Sequence, residues 1–125
     1  MLSIKNIFFL VFSLSVLSNS FAQTIEETAK VFWDAVNANH DKVIVENGEK
    51  LIEYIEDNNF EIDSTIAEIR IRVGLSFSAL GDAKRALTLN QKTLALCKEK
   101  WGDDGSFSSV CLNNIAGNYS NLGDY

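Results

Sequence analysis

Ile66, Ile69, Val73, Phe77 and Leu80 recur at spacings of three and four, which places them on one face of a helix. Gly81-Asp82 interrupts that pattern, and Ala86, Leu87, Leu89, Leu94 and Leu96 begin a second helical stretch. Within the first stretch, Glu68-Ile69-Arg70-Ile71-Arg72-Val73 alternates as a half-buried strand does, so taken alone it is ambiguous. The wider pattern resolves it. Ser78-Ala79-Leu80-Gly81-Asp82 is echoed by Ser120-Asn121-Leu122-Gly123-Asp124 at an offset of 42, and residues 112–122 fill the same slot with no alternation. The same shift sets Glu26 against Glu68, Val31 against Val73, Asn39 against Gly81, Lys42 against Lys84, Lys50 against Lys92 and Ser64 against Ser106.

Three copies follow, over residues 25–66, 67–108 and 109–125, the last one short. Each full copy reads as two helices. Thr24 with Glu27 and Thr65 with Glu68 fit the Ser/Thr-x-x-Glu capping box, so helix starts are expected near the copy boundaries. A helical hairpin has an apolar face it cannot bury alone, and stacking on the next hairpin covers it. Small residues are needed at the close approaches. Gly74, Ala86 and Ala116 suit those places, with Phe77 and Tyr119 to fill the adjoining gaps. The expected fold is therefore all-α, an α-α superhelix (a solenoid of antiparallel helical hairpins), left incomplete by the short third copy.

The N-terminus has a different character. Lys5 precedes an apolar run over residues 7–17 broken only by Ser13 and Ser15, and Ser20-Phe21-Ala22 puts small residues at the -3 and -1 positions of a cleavage site before Gln23. Residues 1–22 read as a secretory signal peptide, too short in its apolar core for a membrane span. The chain is then exported, to a periplasmic or extracellular location. No cysteine near the site suits a lipid anchor, and the Phe-Ala-Gln ending resembles leaders of Bacteroidota.

Charge narrows the function. The formal charge of -6 argues against nucleic-acid binding, which depends on Lys and Arg neutralising phosphates. The absence of proline favours uninterrupted helices. Glu46, Glu49, Glu53, Glu56 and Asp57 lie along one helix as a solvated face, with an acidic docking surface as the alternative. No phosphate-binding glycine loop, nucleophile set or catalytic carboxylate pair is present, so no catalytic residue, cofactor or metal is assigned and an enzyme is not expected. His40 falls in a predicted turn with no ligand at useful spacing, and Asp103-Asp104-Gly105 lacks the alternating oxygens of a calcium loop. Trp33, among Val31, Phe32, Ala35 and Val36, is read first as packing and second as a binding aromatic. Cys97 and Cys111 are the only thiols. They flank one predicted turn, where either a disulfide or two buried free thiols is consistent with the spacing.

The stretch Leu112-Asn113-Asn114-Ile115-Ala116-Gly117-Asn118-Tyr119-Ser120-Asn121-Leu122-Gly123-Asp124-Tyr125 resembles the first helix and turn of the tetratricopeptide repeat family, in its kinesin-light-chain-like form of 42 residues. Glu99-Lys100-Trp101-Gly102-Asp103-Asp104-Gly105 resembles that family's linker, which usually has Leu at Trp101 and Pro at Gly105. The likeness is specific after residue 64. In the first copy Phe32, Asn39 and Gly48 replace the expected small residue, glycine and aromatic, and in the second Thr93 replaces alanine, so copy one is expected to be a degenerate cap.

The resemblance implies a non-catalytic scaffold that holds a peptide or protein partner on a concave face, with no nucleic acid, membrane contact or small-molecule substrate. The implied positions are Glu26, Ala29, Lys30, Trp33 and Asn37, then Glu68, Ile71, Arg72, Leu75 and Ser78, then Val110, Asn113, Asn114, Gly117 and Asn121. Trp33, Arg72, Leu75, Asn113, Asn114 and Asn121 are the leading candidates. An asparagine amide both donates and accepts, which suits an extended peptide backbone of any sequence, although it also bonds local backbone readily. Lys30 and Arg72 are the remnants of a basic clamp. The exposed Leu122 and Tyr125 at the end of the third copy imply a longer array, and the alternative role is the sensory or scaffold part of a signalling protein or a repeat-linked caspase-like peptidase.

Overall fold

The computed structural model describes residues 19–123, with side chains from Thr24 onward. Five helices make up the described chain: α1 (Asn19–Ala38), α2 (Asp41–Asp57), α3 (Ser64–Ala79), α4 (Ala83–Trp101) and α5 (Ser106–Leu122). Consecutive helices pack on one another, and α3 also touches α5, the arrangement of stacked helical hairpins. The leader expected over residues 1–22 lies outside the described residues apart from its last turn, where α1 already runs through the expected cleavage point.

The spacing of 42 recurs in the backbone. Asn39, Gly81 and Gly123 all have positive φ, at 55°, 83° and 81°. The bond from the His40 N–H to the Ala35 carbonyl (3.0 Å) recurs as the bond from Asp82 to Phe77 (2.9 Å). Both close a left-handed helix end of the kind that reclaims orphan carbonyls. Asparagine tolerates the left-handed region better than other side chains do, which is why Asn39 can stand where the later turns carry glycine. Helix starts share the spacing, at Asp41 and Ala83 and at Ser64 and Ser106. The copies therefore begin near residues 64 and 106, a few positions before the expected boundaries, which fall inside α3 and α5.

The capping boxes are not used. Thr24 lies within α1, and Thr65 is already in the first turn of α3. Asp63 caps α3, its carboxylate accepting from the Ile66 N–H at 2.9 Å, and Asp82 caps α4 by accepting from Arg85 at 3.1 Å. A carboxylate also complements the positive end of the helix dipole, an advantage a hydroxyl lacks.

The core is continuous through α1, α2, α3 and α4, from Ile25 and Phe32 through Leu51 and Ile55 to Ile66, Val73, Phe77 and Ala86. Leu80, expected on the stripe, is exposed because it sits at the end of α3. The strand-like alternation also has a physical origin. Ile69, Arg70 and Ile71 are all buried, so α3 is covered on more than one side and its sequence lacks a single apolar face. Polar tethers fix α3 on its neighbours: the Ser76 hydroxyl donates to Asp41 at 2.8 Å, and Arg70 reaches Glu56 at 2.8 Å.

Candidate functional site

The positions implied for a concave face lie on α1, α3 and α5, and the packing between α3 and α5 sets two of those helices side by side. On α3, Arg72 is exposed and forms an ion pair with Glu68 at 3.6 Å, while Leu75 leaves 42% of its surface in solvent. On α5, Val110 is 40% exposed, and Asn113, Gly117 and Asn121 are exposed along the same helical face. Asn114 is half-buried, with no hydrogen-bond partner for its Nδ2. Asn121 lines a small cleft with Ser78 and Lys84. Arg72, Leu75, Asn113, Asn114 and Asn121 are thus presented by two contacting helices.

Of the other expected positions, Glu26, Lys30 and Asn37 stay exposed on α1, and three are taken up by packing. Ala29 and Ile71 are buried. Trp33 is half-buried against the core, edge-on to Phe32 with ring centroids 5.0 Å apart, and α1 packs chiefly on α2. Packing is therefore the role its surroundings give it. Lys30 pairs with Asp34 at 2.8 Å on the exposed surface, which raises its pKa through the hydrogen bond and the charge of that carboxylate. Ser78 is also engaged. It accepts from the Asn118 Nδ2 at 2.7 Å and donates to the Gly74 carbonyl at 3.2 Å.

That contact is one end of a buried polar chain that pattern reading missed. The Asn90 Nδ2 of α4 donates to the Asn118 Oδ1 of α5 at 2.8 Å, so three helices meet through two amides and a hydroxyl. Both asparagines are at most 1% exposed. Their register follows from Gly74, where a Cβ would stand 2.3 Å from the Asn90 Oδ1. The signal lay in Asn90, a polar residue on the apolar stripe of α4 one turn after Ala86.

Cys97 and Cys111 are buried free thiols in hydrogen-bond contact across the α4–α5 pair. Burial pushes the Cys111 thiol up to about 12, helped by the neighbouring sulfur. Burial also raises Cys97, against the opposing pull of its hydrogen bond with Cys111 and the charge of Arg70. Neither thiol is therefore activated as a nucleophile.

Among the described residues, no group of His, Cys, Asp and Glu is arranged to hold a metal ion, and no helix is long and apolar enough to cross a membrane. His40 is exposed just before α2 and makes no side-chain cap bond. Glu46, Glu49, Glu53, Glu56 and Asp57 are exposed as expected, and Glu56 also accepts from Arg70 and Lys92. No family model matches the chain, and no curated protein or solved structure matches it either.

Proposed function

We propose that the chain is a non-catalytic scaffold of the tetratricopeptide type, exported by its leader, which binds a peptide or protein segment along α3 and α5. The observation that carries this reading is the pairing of exposed apolar surface at Leu75 and Val110 with the amides of Asn113, Asn114 and Asn121 on contacting helices. Amides satisfy the backbone of an extended segment, and the leucine and valine supply apolar contact. The recurrence of left-handed turns at Asn39, Gly81 and Gly123 supports the repeat reading. A peptide array probed with the protein and with its Asn113→Ala/Asn114→Ala variant tests it. Selected peptides should bind the variant about tenfold more weakly, the equivalent of one or two net hydrogen bonds. Equal binding by both proteins counts against the assigned face.

A further inference from the structure

Away from the α3–α5 face, a cleft of about 570 Å³ opens between α2 and α4, which both pack on α3. Ile55, Phe60, Ile62, Ile66 and Leu96 give it apolar walls, and Arg70 lies at its base. The volume is in the range of small-molecule sites, and so is the combination of apolar walls with a few fixed polar groups.

The charge arrangement at the base is unbalanced. Arg70 is 2% exposed, and its Nη2 donates to the Glu56 Oε1 at 2.8 Å. Lys92 donates to that same oxygen at 2.7 Å. Two cations therefore share one carboxylate oxygen, and the Arg70 Nε and Nη1 have no partner. A buried guanidinium with unmet donors is costly unless another acceptor reaches it. The other acids of the cleft do not supply one. Glu61 is held by Lys100 at 3.1 Å, and Glu99 is exposed. Glu56 and Lys92 are partly exposed, so the group is reached from solvent at that point.

We propose that this cleft binds a small carboxylate carried on an apolar body, with the carboxylate taken by Arg70 and Lys92 and the body lying among Ile55, Phe60, Ile62, Ile66 and Leu96. The Arg70 Nε and Nη1 are closed off from solvent, so a ligand carboxylate meets the pair beside the partly exposed Lys92, where it takes the place of Glu56. The site uses different residues from the peptide face, so either assignment can fail alone.

Isothermal titration of the protein with octanoate, 1-octanol, acetate and the tripeptide acetyl-Ala-Ala-Leu tests the proposal. Octanoate should bind saturably at one site, and 1-octanol and acetate should bind about tenfold more weakly or less, each lacking one half of the recognised chemistry. Arg70→Met should cost a similar factor in a protein whose circular dichroism still shows the folded helices, Lys92 remaining to pair with the partly exposed Glu56. Glu56→Gln, which weakens the internal competitor, should tighten octanoate. The proposal is overturned if octanoate fails to bind at millimolar concentration, if 1-octanol matches it, or if Arg70→Met binds it equally. Tighter binding of the tripeptide than of octanoate would also overturn it, in favour of a peptide C-terminus as the occupant.

Discussion

Gly48 and Gly74 let helices approach closely, but from opposite members of their hairpins. A Cβ at Gly48 of α2 would stand 2.2 Å from Val73 and 3.0 Å from Phe32, while a Cβ at Gly74 of α3 would meet Asn90 of α4. Phe32 and Gly74 are 42 residues apart, and so are Gly48 and Asn90, so the large and small members of the contact have changed places between copies. The differences between the first two copies at these positions are thus a compensated exchange. Gly48→Ala and Gly74→Ala should each destabilise the protein by about 1–3 kcal/mol, as overpacking does, measured by urea unfolding. Adding Asn90→Ala should recover part of the loss at Gly74 and none at Gly48. Equal recovery at both positions would show that Asn90 is not the obstruction. At this level, sequence reading picked out Gly74 and Ala86, which are buried, but also Ala116, which is exposed, and it did not assign Gly48 to a close approach. Asn118 looks like a surface amide until the structure sets it against Asn90.

Helices and their ends were more legible, because periodicity and chain-breaking glycines act locally. Gly81-Asp82 ends α3 and caps α4 as its composition implies. The Thr65 capping box misled because Asp63 caps α3 and Thr65 lies in its first turn, and the Thr24 box because α1 already runs through Thr24. The α4–α5 pair carries a pH dependence of its own. Burial pushes the Cys111 thiol from an ordinary 9.0 up to about 12. The folded state therefore keeps a proton that the unfolded chain releases near pH 9, and this contribution is fully present below that value. It is lost as pH rises from about 9 to about 12. Urea midpoints should fall across that window in the native protein and fall less steeply in Cys111→Ala. The same slope in both proteins would remove the thiol as its cause. Glu56 acts in the opposite direction, since hydrogen bonds from Lys92 and Arg70 hold it below the usual carboxylate range; its contribution is present at neutral pH and lost as pH falls through its lowered value.

For the molecule as a whole, stacking was readable because a spacing of 42 residues survives in the sequence even where residue types do not. What the spacing does not specify is how much of each first helix stays exposed. Ala29 and Ile71 are buried and Trp33 packs on the core, and the proposed face uses only the exposed positions of the two contacting helices α3 and α5. The central claim is that this surface holds an extended peptide. Backbone amide shifts of the isotope-labelled protein, followed by nuclear magnetic resonance while an array-selected peptide is added, test it most directly. The account predicts that the largest changes map to Arg72, Leu75, Asn113, Asn114 and Asn121, with α2 little affected. Changes centred on α2 and α4, with those five residues unmoved, would contradict it.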